Sequence, residues 1–334
     1  MGTIERWHAV IVEAMSGRSS GMSGATRYLV YGLVVESDVE LSSVEEASAA
    51  PDEAAIRMVL GTTEYFRSVS SDIVLADDWI QQAVLADGSV YVKVEGVFET
   101  VVSADGRRAV CGRLGATDDR SFEANLLNFV VSTALTLQGE EPLHATVVDL
   151  GGSVVGLLGA SGAGKSTLAA CLIAQGARLI TDDMLRLVFA DGKAMAYPGP
   201  HRLKLFDEPA KRFMLDAVPS GWLNALSGKM MVEPSTAAPA PRMPRPLSTL
   251  FWLGEPAAPT PERVSLERMA GADLVRRLIA SAMNIRYHAP ERLARQLRFS
   301  EHIARTLPVY ALNYPRKLDV MERVVEEIRR VAPA

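Results

Sequence analysis

The chain has 334 residues, 48% hydrophobic and 22% charged, the composition of a folded globular protein of about two domains; this excludes a disordered, collagen-like or coiled-coil chain. Forty acidic residues against 35 basic ones give a net charge of −5, which argues against a protein built to grip nucleic acid. The two cysteines, Cys111 and Cys171, offer neither a zinc spacing nor a disulfide framework and fit a reducing cytoplasm, and no apolar run reaches the ~18 residues of a membrane span.

In chain order, Ser16 to Thr26 is mostly Ser, Gly and Met, so residues 1–26 read as a flexible leader. Residues 27–36 are rich in β-formers and open the first domain, and the acidic, small residues 42–54 read as a loop. Residues 79–114 predict a β-meander, with turns at Asp87-Gly88, Gly96 and Asp105-Gly106. Each Asp-Gly pair suits a tight hairpin because both positions tolerate positive φ. A helix follows over 120–138, with Phe122, Leu126, Phe129, Val130, Thr133 and Leu137 on one face. His144 to Leu150 and Ser153 to Leu158 predict two strands joined by Gly151-Gly152. A glycine-rich loop, a helix from Lys165 to Gln175 stopped at Gly176, and a strand from Arg178 to Thr181 come next. Two proline clusters within 234–261 predict a disordered excursion, interrupted by a strand at Leu247 to Leu253. Helices are expected at 266–286 and 289–306, a strand at Val309 to Tyr314, and a final helix at 316–331 with Leu318, Met321, Val325 and Ile328 inward.

The loop carries the chemistry. Gly159, Ala160, Ser161, Gly162, Ala163, Gly164, Lys165, Ser166 and Thr167 fit G-x-x-x-x-G-K-[ST], the phosphate-binding loop of nucleotide enzymes. Glycines let successive N–H groups turn inward as an anion nest, and the helix beginning at Lys165 points its positive end at the same place. Lys165 supplies charge at the β- and γ-phosphates of ATP, and Ser166 offers a hard oxygen to Mg²⁺. One helix and one strand later, Asp182 and Asp183 should lie beside the phosphates. Two carboxylates permit a division of labour, one orienting Mg²⁺ and one taking the proton of a hydroxyl nucleophile. An ABC-type ATPase would need an L-S-G-G-Q segment, and Ala225-Leu226-Ser227-Gly228-Lys229 is not one. His144 could hold Asp182 in place. Downstream, Arg202, Lys204, Lys229, Arg242 and Arg245 read singly as surface charge. As a set they suit a transferred phosphoryl group, which needs positive charge from outside the loop as well.

The stretch LHATVVDLGGSVVGLLGASGAGKSTLAACLIAQGARLITDD, residues 143–183, resembles the HPr kinase family, and more closely its diverged relatives in peptide-biosynthesis clusters, the lasso-peptide kinases. Weaker likeness at Tyr31–Leu41, Tyr197–Leu205 and Leu307–Pro315 extends it over about residues 27–330. The resemblance implies an α/β fold in which an N-terminal mostly β domain with a bridging helix, 27–139, precedes an HPr kinase-like domain, 140–330. It also implies that Lys165 and Ser166 hold ATP-Mg²⁺, that Asp182 is the base with His144 as its hydrogen-bond partner, and that Asp183 supports the metal; two adjacent carboxylates can exchange these roles. HPr kinases form hexamers, so a homo-oligomer is admitted. The regulatory domain and the HPr-docking segment of the kinases proper are not found here, which argues against HPr as substrate.

The expected function is therefore phosphorylation of a hydroxyl by ATP, most naturally a serine of a precursor peptide. Residues 197–261 favour a peptide over a sugar, because Asn224 is their only Asn or Gln. The competing readings are a small-molecule kinase acting on a sugar or nucleoside, and a nucleotide-binding sensor module. A cytoplasmic protein without nucleic-acid or membrane partners is expected in each case.

Overall fold

The computed structural model describes residues 25–47, 54–71, 73, 78–216, 218–222, 228–235, 242–254, 262–284 and 286–332. Nearly all of the expected leader, part of the acidic loop and much of the proline-rich stretch lie outside the described residues. The protein is mixed α/β and divides into two units. The first holds residues 25–29, 33–42 and 46–134, and the second holds residues 30–32, 43–45 and 135–332, each as far as it is described.

The first unit is built on an eight-stranded sheet. Its strands are β1 (Thr26–Val30), β2 (Leu33–Ser37), β3 (Glu45–Glu46), β4 (Ile56–Leu60), β5 (Ile80–Val84), β6 (Val90–Val94), β7 (Phe98–Val102) and β8 (Arg108–Arg113), in the order β3-β1-β2-β4-β8-β7-β6-β5. Strands β5 to β8 form the antiparallel meander, while β4 pairs in parallel with both β2 and β8. The meander turns differ from expectation in one respect. Gly88 and Gly106 adopt positive φ, but Asp87 and Asp105 do not. The aspartates instead cap the turns, Asp87 accepting from Ser89 N and Asp105 from Arg107 N. Helix α1 (Thr63–Ser70) starts at Thr62, whose hydroxyl accepts from Tyr65 N.

The expected helix 120–138 is present but not uniform. It runs as α2 (Asp119–Asn125), a π turn (Leu126–Val130) and α3 (Val131–Leu137). The single-face pattern understated its burial, since Ser121 to Leu127 and Val130 to Thr136 are all buried. The extra residue of the π turn shifts the register, so the apolar positions do not stay on one stripe.

The second unit centres on a sheet of β9 (Ala145–Asp149), β10 (Val154–Leu158), β11 (Arg178–Thr181), β12 (Leu187–Ala190), β13 (Lys193–Ala196), β17 (Arg245–Leu253), β18 (Ser265–Arg268) and β19 (Val309–Asn313). A small separate sheet holds β14 (Leu203–Leu205), β15 (Val218–Trp222) and β16 (Met230–Glu233). In the main sheet β10, β17 and β19 run parallel, and β9 returns antiparallel beside β10. Strands β9 and β10 are buried at every position, the signature of a sheet covered on both faces. One face packs on α4 (Lys165–Ala174) and α8 (Met321–Val331) through Val155, Leu157, Phe251, Leu168, Leu172, Val324 and Ile328. The other packs on α6 (Gly271–Ala280) and α7 (Pro290–Thr306) through Val154, Leu158, Trp252, Leu274, Leu278 and Ile303. Burying each such side chain is worth about 1.5–3 kcal/mol. Helix α5 (Asp207–Phe213) lies against α4.

Two expectations for this unit change. The helix expected over 266–286 begins as a strand: Ser265 to Arg268 pair antiparallel with Tyr310 to Asn313, and the helix starts only at Gly271. The final helix also buries Val324, which the sequence reading did not include.

Candidate active site

The loop after β10 is fixed by its neighbours. A Cβ at Gly159 would lie 2.8 Å from the Leu253 carbonyl oxygen, and one at Gly164 would lie 3.0 Å from the Tyr314 hydroxyl, with both residues at positive φ. Only glycine fits both places. Among the described residues the N–H groups of Ser161, Gly162 and Gly164 have no backbone acceptor, while Ala163 N turns back to Ala160 O. Helix α4 therefore opens with free donors and its positive dipole end above the loop. It closes in a Schellman motif, Gly176 N to Ile173 O and Ala177 N to Leu172 O, with Gly176 left-handed.

Lys165 is buried and donates from Nζ to Gly159 O at 2.8 Å and Ala160 O at 3.1 Å. Burial lowers its pKa to about 8, against the pull of Asp183 and Asp182. Ser166 donates its hydroxyl to Asp182 at 3.2 Å and 3.4 Å to the two carboxylate oxygens. Asp182 also accepts from Thr146 Oγ1 at 2.6 Å and from Lys204 N at 3.0 Å. Burial, and then the Asp183 charge, push its pKa up.

Asp183 has φ +66, a left-handed conformation that Asp tolerates better than most residues. The tight turn is closed by Met184 N to Asp182 O and by Thr181 Oγ1 to Met184 O. This turns the two carboxylates to different partners. Asp183 pairs with Lys204 Nζ and faces His144 Nε2 at 4.0 Å. Burial would raise its pKa, but Lys204 and then His144 overcome that and hold it below the usual carboxylate range. His144 is anchored by its backbone N–H, which donates to Ser281 O, and Leu143 bridges to Leu185. A third of its side chain is accessible, yet enclosure on its other sides and the Lys165 charge lower its pKa to about 4, so it is neutral at pH 7.

The expected partnership of His144 with Asp182 is thus corrected: His144 meets Asp183, and Asp182 meets Ser166. The basic set divides. Lys204 is in the site. Lys229 stands 5.3 Å over the Phe206 ring and lies near enough to act on Lys165, His144 and Asp183. Arg202 is buried and donates to Ser43 Oγ at 2.6 Å. Arg242 pairs with Glu45, and Arg245 sits 3.4 Å from Asp149 at the opposite end of β9 from the loop. Neither arginine joins the loop cluster, because β17 begins at that opposite end, Ala196 pairing with Arg245.

Sequence reading missed four groups here. Thr146 was hidden inside a strand. Tyr31, part of the second unit, buries a phenol near both aspartates, with burial raising its pKa. Tyr314 and Arg316 follow β19 and touch the loop, Arg316 donating to Ala163 O and, at 2.8 Å, to Gly254 O. A cation directly after a parallel strand was the available signal for the last.

No helix among the described residues is long and apolar enough to cross a membrane. No protein-family model matches the chain, and no curated protein matches it. Among solved structures, the HPr(Ser) kinase/phosphatase from Coxiella burnetii is similar at a TM-score of 0.29 and 14% identity, over 57% of this chain and 96% of that one.

Proposed function

We propose that the protein is a kinase that moves the γ-phosphoryl group of ATP to a hydroxyl, with a serine of a peptide as acceptor. The observation that carries this is the meeting of the Ser166 hydroxyl with the Asp182 carboxylate at the N-terminus of α4, above a glycine loop holding Lys165. A second carboxylate, Asp183, stands beside them with its own partners. Simple anion binding would not need that second carboxylate.

Loop N–H groups and Lys165 hold the phosphate oxygens. Ser166 and Asp182 fit Mg²⁺: both are hard oxygen donors, and a carboxylate whose pKa is raised beside another carboxylate is a place where added positive charge is favoured. Among the described residues no three His, Cys, Asp or Glu side chains cluster as a metal cage, which suits a cation held by one or two protein ligands and by phosphate oxygens. When bound, Mg²⁺ would neutralise charge on the β- and γ-phosphates.

Asp183 takes the proton of the acceptor hydroxyl as its oxygen bonds to the γ-phosphorus and the bond to ADP breaks. Asp183 is ionised at neutral pH, and Lys204 and neutral His144 fix its direction; its low pKa makes it a weak base, which takes the proton only as the bond to phosphorus forms. Lys204 and Lys229 place positive charge near the transferred group.

The test incubates the purified protein with ATP-Mg²⁺ and, separately, a serine-ended precursor peptide, HPr, and a panel of sugars and nucleosides. Mass spectrometry should show one phosphate gained on the peptide and none when the serine is alanine. Transfer to a sugar or nucleoside alone would make the protein a small-molecule kinase. Nucleotide binding without transfer to any acceptor would make it a sensor.

A further inference from the structure

The glycine loop is held from outside as well as from within. On the inner side Lys165 Nζ satisfies the carbonyls of Gly159 and Ala160. On the outer side the Ala163 carbonyl is taken by Arg316, which reaches across from the segment after β19. The same guanidinium donates to Gly254 O at 2.8 Å, and its carbon lies 4.9 Å from the centre of the Tyr314 ring. Arg316 therefore ties together the ends of three parallel strands: β10 through the loop, β17 through Gly254 and β19 through its own backbone. Tyr314 is buried, and its hydroxyl lies against Gly164.

A planar guanidinium holds two carbonyls through separate nitrogens at a fixed spacing, whereas a lysine reaches its acceptors from one nitrogen on a flexible stem. Ala163 immediately precedes Gly164 and Lys165. Its carbonyl direction sets the peptide plane that carries the Gly164 N–H, one of the donors with no backbone acceptor among the described residues.

Building on the proposed nucleotide site, we infer that Arg316 is a positioning residue for nucleotide binding: it holds the loop in the conformation that presents its N–H groups, without touching phosphate itself. Losing hydrogen bonds from a charged donor should weaken ATP-Mg²⁺ binding about tenfold or more.

The experiment compares wild type, Arg316→Lys and Arg316→Ala. Calorimetry gives the ATP-Mg²⁺ Kd, and amide hydrogen exchange of residues 159–166 is followed without nucleotide. Arg316→Ala should raise the Kd about tenfold and speed exchange in the loop while leaving β6 and β7 unchanged. Added guanidinium should recover part of the affinity, which repair of a general folding defect would not explain, and Arg316→Lys should fall between. A Kd within twofold of wild type in Arg316→Ala, with unchanged loop exchange, overturns the inference alone. A wild-type protein that binds no nucleotide overturns the kinase reading and this inference with it.

Discussion

At the hairpin end of β9, Asp149 is fully covered and accepts from Gly151 N, Gly152 N and Arg178 Nη2, with Arg245 3.4 Å away. At the other end of the same strand, about 13 Å distant by strand rise, Asp182 accepts from Thr146, Ser166 and Lys204 N beside a second carboxylate. Both places bury an acid among polar partners. Their electrostatics are opposite: burial raises both, but backbone donors and Arg178 bring Asp149 below its ordinary pKa, whereas Asp182 stays raised because its neighbour is another carboxylate. A neutralised carboxylate closes a hairpin. An under-neutralised one, adjacent to hydroxyl and loop donors, has capacity for a cation, and this is the physical difference between a structural ion cluster and a candidate active site.

The largest expected effect separates the two aspartates of the loop end. Asp183→Asn keeps the shape but cannot take a proton, and should lower phosphoryl transfer by about 10²–10⁴ with ATP binding retained. Asp182→Asn should also lose transfer, but excess Mg²⁺ should restore part of it. If Mg²⁺ instead rescues Asp183→Asn and leaves Asp182→Asn unchanged, the two roles are the reverse of those proposed.

The hairpin end should respond in stability alone. Asp149→Ala strands the Arg178 head and two backbone N–H groups. Because Arg178 is one-third exposed, water recovers part of the loss, leaving about 2–3 kcal/mol of destabilisation. Urea unfolding measures this, and kcat per folded molecule should match wild type. A specific loss of transfer in a variant that unfolds at the wild-type urea concentration would put Asp149 in the functional machinery after all.

These two ends also show what could be read from the residues in order. The loop, its flanking strands, the helix from Lys165 and the Gly176 stop are local: each follows from spacing within about ten residues of chain. The separation of Arg245 from Lys204 is not local. Both lie in a basic, proline-rich stretch, but Lys204 enters a short strand paired with β16 while Arg245 begins β17. Likewise Ser265-Leu-Glu-Arg268 carries no mark of strand, and becomes one only because β19 offers an edge. The partners of Asp182 and Asp183 turn on one backbone angle, the positive φ of Asp183, for which Asp-Asp is compatible but not diagnostic. Arg316 reached the loop through the parallel pairing of β17 with β19, a contact between segments about 60 residues apart in the chain.

The smallest expected effect tests the loop end by pH. His144 carries a pKa near 4 in the folded protein against 6.5 when unperturbed, chiefly because burial disfavours its charged form. Between those values the unfolded chain binds more protons than the folded one, so acidification favours unfolding. The contribution is fully present above about pH 6.5 and is lost as pH falls through 4. With a third of the ring accessible, the loss should be about 1–2 kcal/mol, below the value a fully buried group would give. In His144→Gln this component is absent. Urea midpoints without nucleotide or metal at pH 7.5 and pH 4.5 should show the variant losing less stability than wild type on acidification. A wild-type-minus-variant difference that does not change between the two pH values would mean that His144 is free to charge, and that its approach to Asp183 at 4.0 Å is an ordinary surface ion pair. The acid side of the loop end would then be as fully neutralised as the Asp149 cluster, and the electrostatic contrast between the two ends would fail at its weakest point.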